Sequence, residues 1–181
     1  MKNTILIKLL DDEIWLFKNN ELIKEKTNKI ITNNFITNYK LLHEHLKKII
    51  NKYKLSSSII QNKIYIIINK LYCETNIYVI KNIMYNLGLT NYKFIFEEDT
   101  YKGYNKNILS YWDNNGIYIS NDREFYIDYK TNLSNLVEEN TLVITANKDI
   151  LSYINKKILV YENTICPIFS ILINNKIKNI N

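Results

Sequence analysis

The chain has 181 residues, with 46% hydrophobic and 23% charged side chains, which is the composition of a folded protein and excludes disorder. Only 3 Gly and 1 Pro are present, so collagen-like and linker-rich architectures are excluded and a glycine-lined phosphate loop has little to be built from. The net charge of +6 is carried almost wholly by Lys, Arg123 being the single Arg, and Asn, Ile, Lys and Tyr dominate, all residues with AT-rich codons, which points to an AT-rich gene. A Lys excess of that origin is weak support for a nucleic-acid partner, whose sites favour the bidentate Arg fork. The charge is uneven. Residues 1–70 hold 13 Lys against 6 acids, residues 71–140 hold 6 basic residues against 10 acids, and residues 141–181 hold 5 against 2.

Residues 4–10 form an apolar β-branched run that Asp11-Asp12 interrupts; Ile14 and Leu16 follow, then Asn19-Asn20, then Leu22 and Ile23. Short Asp and Asn side chains tolerate left-handed backbone, so the pattern predicts a three-stranded antiparallel meander. The period then changes. Leu42, Leu46, Ile49, Ile50 and Tyr53 recur at helical spacing, with Lys47, Lys48 and Lys52 opposite, predicting an amphipathic helix over 37–54. Residues 63–71 read as a central strand. Thr75 or Asn76 caps a second helix carrying Ile77, Ile80, Met84 and Leu87, and Gly88 stands at its C-terminal cap. Residues 92–96 form another strand, ending in Glu97-Glu98-Asp99.

The region 100–112 is less regular and aromatic. Asn115-Gly116 predicts a turn, and 116–120 with 124–129 predict a hairpin around Asn121-Asp122. A polar stretch leads to a strand over 141–146, a helix opened by Asn147, a strand over 157–161 and a last short helix after Pro167. The expected fold is mixed α/β in two parts: residues 1–100 as β-β-β-α-β-α-β, and a smaller 101–181 as a hairpin followed by β-α-β-α.

That order of elements resembles the ribonuclease-H-like core shared by actin, Hsp70 and sugar kinases. Residues 80–88 lead through 92–96 into Glu97-Glu98, much as a helix ending in Gly leads into a strand closing on Glu-Pro in bacterial actin-like proteins. Residues 142–147, a helix over 149–155, a strand over 158–161 and Pro167 resemble the family's C-terminal order. The nearest branch is that of MreB, FtsA and the type IV pilus protein PilM. Such proteins approach nucleotide phosphates through glycines in the first hairpin, in a second phosphate loop and beside the adenosine. Here those places hold Leu10-Asp11-Asp12-Glu13, the lone Gly116, and Ala146-Asn147. Side chains crowd an approaching phosphate and acids repel it, so the resemblance implies a reduced actin-like core with no nucleotide cofactor.

Other chemistry is sparse. Cys73 and Cys166 lie far apart, consistent with two reduced thiols. His43 and His45, at i and i+2, fall on different helical faces and suit no zinc pair, so no metal site is expected. Asp11 and Asp99, at strand ends, offer the enzymatic alternative: the carboxylates of a metal-dependent nuclease with a ribonuclease-H-like core, or of a degenerate nucleic-acid binder. No catalytic residue is assigned. Tyr101, Tyr104, Tyr111 and Trp112 are the candidate partner-binding residues, because Tyr and Trp enrich binding hot spots; core packing is the competing reading. With no leader and no apolar run long enough to span a bilayer, the expected place is the cytoplasm. Resemblance to PilM implies a non-catalytic scaffold, forming a ring or collar of like copies beneath an envelope machine. Its partner would be the cytoplasmic segment of a bitopic membrane protein, with membrane contact only through that partner and no nucleic acid.

Overall fold

The computed structural model describes residues 4–19, 21–32, 35–55, 62–101, 107–112, 115–121, 123–128, 131–145 and 148–160. Two compact units divide the chain, Met1–Phe96 and Glu97–Asn181. Both are mixed α/β.

In the first unit, β1 (Thr4–Leu9), β2 (Glu13–Lys18) and β3 (Glu21–Lys26) form the meander, and β6 (Lys63–Ile68) and β7 (Tyr92–Phe96) join in parallel. The sheet order is β3-β2-β1-β6-β7. Central β1 and β6 are buried on both faces, hence their nearly unbroken apolar sequences. Edge strand β3 instead carries Glu21, Lys24, Glu25 and Lys26, charges that discourage unwanted pairing. A small pair, β4 (Ile31–Thr32) and β5 (Phe35–Ile36), was not among the expected elements.

Helix α1 (Tyr39–Lys52) and helix α2 (Glu74–Asn86) pack on the face holding Ile5, Ile7, Leu9, Ile14, Leu16, Ile64 and Ile66. They insert Leu42, Leu46, Ile49 and Ile50 from α1, and Ile80, Ile83 and Met84 from α2. Asn38 caps α1, its Oδ1 accepting from Leu41 N at 3.0 Å. Cys73, rather than Thr75 or Asn76, precedes α2; Asn76 is buried, and its Oδ1 accepts from Ile36 N at 3.3 Å. Both helices end alike. Gly88 takes φ +72° with Leu89 N donating to Met84 O, and Lys54 takes φ +49° with Leu55 N donating to Ile50 O. These are paired terminal bonds that satisfy the last helical carbonyls. Asn19, Asn28, Lys29, Asn121 and Asn140 also have positive φ, so Asn fills the bends that glycine would usually fill.

The second unit repeats the plan. Strands β8 (Ile108–Trp112), β9 (Asn115–Ser120) and β10 (Arg123–Asp128) form a meander, and β11 (Leu142–Thr145) and β12 (Leu159–Val160) add in parallel, in the order β10-β9-β8-β11-β12. On one face of this sheet the helices are reduced to α4 (Leu133–Leu136), inside the expected polar stretch, and a 3-10 turn, Lys148–Tyr153. These cover Leu109, Tyr111, Tyr118, Ile127 and Val143. The expected hairpin is therefore a three-stranded meander, because residues 108–112, read as irregular, pair with both β9 and β11. Asn115-Gly116 lies within β9 rather than at a turn. The acidic run forms a short helix, α3 (Glu97–Tyr101), within the second unit, where the expected boundary at 100 put it in the first. The helix expected after Pro167 lies outside the described residues.

Candidate functional site

The β1–β2 turn closes tightly, with Leu10 N donating to Glu13 O at 2.9 Å and Asp12 O accepting from Thr27 N at 2.8 Å. Asp11 and Asp12 sit at its tip, a setting that repels a phosphate. In the second unit the cross-strand partner of Gly116 is Tyr111. A Cβ on Gly116 would meet Tyr111 Cδ2 at 2.6 Å and Ser110 O at 3.0 Å. The ring therefore occupies the space that the missing side chain leaves, a glycine covered by a cross-strand aromatic. Ala146-Asn147 lies outside the described residues.

On the opposite face of the second sheet sits a buried acid–hydroxyl cluster. Glu97 is 1% exposed; its Oε1 accepts from the Tyr101 hydroxyl at 2.9 Å and from the Ser110 hydroxyl. Ser110 Oγ lies 3.3 Å from the Tyr101 hydroxyl. Three buried polar groups thus hydrogen-bond one another. Glu98 is also buried and hydrogen-bonds the Tyr126 hydroxyl. Burial first, then the charges of Glu98 and Glu124, push the Tyr126 phenol up to about 12, so it stays a neutral donor. Burial, with Asp128, also raises Tyr111.

Of the four residues expected to bind a partner, Tyr101 and Tyr111 are buried, Tyr101 in this cluster and Tyr111 over Gly116. Tyr104 and the Trp112 side chain lie outside the described residues. Asp11 belongs to the first unit and Asp99 to the second. Among the described residues, no three His, Cys, Asp or Glu side chains gather as a metal ion would require. His43 stacks on Tyr39 at 6.4 Å.

Exposed aromatics lie elsewhere. Tyr78 and Tyr85, seven positions apart, mark one outer stripe of α2. Phe125 and Tyr126, 39% and 43% exposed, stand on β10, the last strand of its sheet. Sequence reasoning recognised β10 as a strand; its place at the edge is a matter of long-range pairing.

No protein-family model matches the sequence, and no curated protein does. Solved structures do. The ethanolamine utilization protein EutJ from Carboxydothermus hydrogenoformans superposes with a TM-score of 0.63 at 7% identity, over 93% of this chain and 87% of that one. The cytoplasmic domain of EpsL, an inner membrane component of the type II secretion system of Vibrio cholerae, gives 0.55 at 7% identity, over 97% and 96%. MreB5 of Spiroplasma citri, bound to ADP, gives 0.53 at 11% identity, over 71% and 52%. The fold is actin-like. This actin-like chain spans about half the length of MreB5 but nearly all of the EpsL domain. The duplicated sheet order, with shortened connections in the second unit, makes it a reduced actin-like core. No described helix is long and apolar enough to cross a membrane.

Proposed function

We propose that this chain is a non-catalytic actin-like scaffold that binds the cytoplasmic segment of a bitopic membrane protein. Like copies assemble into a ring or collar beneath a bacterial envelope machine of the pilus, secretion or flagellar kind, in the manner of PilM. The carrying observation is the second hairpin, where the Tyr111 ring packs directly against Gly116, the lone glycine of that region. The acidic first turn supports the same reading. End-to-end likeness in fold to the cytoplasmic domain of a secretion-system membrane component supports the type of partner. The chain then works from the cytoplasm and reaches the membrane through that partner.

The test is a cross-linked pull-down of the tagged chain from its own cells, with membranes solubilised and nuclease added. Stoichiometric recovery of a bitopic membrane protein, indifferent to nuclease, is the expected result. Recovery only of nucleic-acid proteins, lost on nuclease treatment, would overturn the scaffold and favour the nucleic-acid reading. ADP binding at physiological concentration would overturn the claim of lost nucleotide loops.

A further inference from the structure

The edge of the second sheet carries a more specific assignment, which rests on the scaffold reading above. Ser120 and Arg123 flank a two-residue turn in which Asn121 has φ +50°. In such a hairpin the flanking residues are a hydrogen-bonded pair, and pairs alternate along the ladder. Arg123, Phe125 and Ile127 therefore bond inward to β9, while Glu124 and Tyr126 aim their backbone N–H and C=O groups away from it. Beyond them, Asp128 turns back on Thr131, whose N–H donates to Asp128 O at 3.1 Å. The outward-facing stretch is short and centred on Tyr126.

Its two faces differ. Glu124 and Tyr126 share one face with the part-exposed Asp99 and the buried Glu98, whose carboxylates act on the Tyr126 hydroxyl. Phe125 occupies the other, its ring 6.1 Å from that of Tyr118. A strand laid along this edge places residues opposite Glu124 and Tyr126 on the acidic face, and the residue opposite Phe125 on the aromatic face. The pattern that fits alternates Lys or Arg with an apolar residue.

We propose that β10 accepts, as a sixth strand, the Lys- or Arg-bearing cytoplasmic flank of the membrane-spanning partner. Charge complementarity selects this occupant, since flanks on the cytoplasmic side of a membrane span are enriched in Lys and Arg and strand addition reads alternate side chains. Among the edges of a second copy, β3 is a poor match, because Glu21 and Glu25 there cancel Lys24 and Lys26. Lys24 also lies over the Trp15 ring at 4.3 Å, and Glu25 pairs with Lys48 at 3.1 Å.

The probes are two fluorescent synthetic peptides, one alternating Lys with Val and its twin alternating Glu with Val, titrated with the full chain. The Lys peptide is expected to bind at least tenfold tighter than the Glu peptide, with affinity falling as salt rises. Glu124→Lys should reverse that preference. Tyr126→Pro removes one outward N–H while sparing the inward ladder, and should abolish binding in a variant whose circular dichroism is unchanged. A photocross-linker at position 126 in cells should capture the basic flank of a membrane protein. Equal binding of the two peptides, or no effect from either variant, overturns the edge assignment. A cross-link from 126 to a second copy overturns the occupant. If the pull-down recovers a membrane partner cross-linked elsewhere, the edge falls and the scaffold reading stands. If no membrane protein is recovered, both fall.

Discussion

Replacing Gly116 by Ala separates two reasons for a glycine at that position. In a strand interior Ala is favoured over Gly by about 0.5–1 kcal/mol, because glycine loses more backbone freedom on folding. Against this, the new Cβ would stand 2.6 Å from Tyr111 Cδ2 and 3.0 Å from Ser110 O. The second contact is with backbone, so the ring must give way, and forcing a methyl into such packing costs about 1–3 kcal/mol. The net expectation is a destabilisation of about 1 kcal/mol, read as a lower urea midpoint with an unchanged slope. Tyr111→Leu clears the ring; in that background Gly116→Ala should be nearly neutral or stabilising, giving a coupling of about 1 kcal/mol in the double-mutant cycle. A Gly116→Ala variant more stable than the parent, or a cost that Tyr111→Leu leaves untouched, would refute the ring-over-glycine account. A glycine kept for a ligand would behave differently: the urea midpoint would hold or rise, and ADP binding would be lost.

Other outcomes follow from the same physics. Glu97→Ala removes the acceptor that the buried Tyr101 and Ser110 hydroxyls share and should cost about 1–3 kcal/mol by urea unfolding, while Glu97→Gln, which keeps one acceptor oxygen, should cost less. Asn38→Ala removes the cap on Leu41 N and should cost about 1 kcal/mol, with loss of helical circular dichroism confined to the start of α1. In a difference titration of parent against Tyr126→Phe, the missing phenol should ionise with a midpoint of about 12 rather than 10.0. Because the fold favours the neutral phenol, the stability tied to it is intact below pH 10 and is lost as pH rises toward 12; Tyr126→Phe should flatten that alkaline fall.

The first unit was largely legible because local signals and tertiary structure agree there. Asp11-Asp12 and Asn19 bend the chain where the meander turns, and the leucine–isoleucine stripe of α1 faces the sheet. Sequence reasoning failed where a side chain answers to a distant partner. Asn115-Gly116 reads as a turn, yet Gly116 is held in β9 by the Tyr111 ring above it. Glu97 reads only as an acid at a strand end, and the hydroxyls from α3 and β8 that allow it to be buried leave no local signal. Tyr101, for which docking and core packing are both open readings, is found in the interior. The edge position of Phe125 and Tyr126 depends on which strand pairs with which, and no local window encodes that.

Lys54 closes α1 in the left-handed conformation, a post at which Lys has no advantage and Asn or Gly does. In codon terms the position is poised. Lys and Asn codons differ only in the third base, whereas Gly lies further from either, through G and C changes that an AT-rich gene resists. A single-base drift from Lys54 to Asn should relieve backbone strain and slow the fraying of the helix end, at no cost to base composition. Asn19, Asn28, Asn121 and Asn140 already hold the left-handed conformation. Helix termini and hairpins of this gene can thus be tuned one transversion at a time, without recourse to glycine.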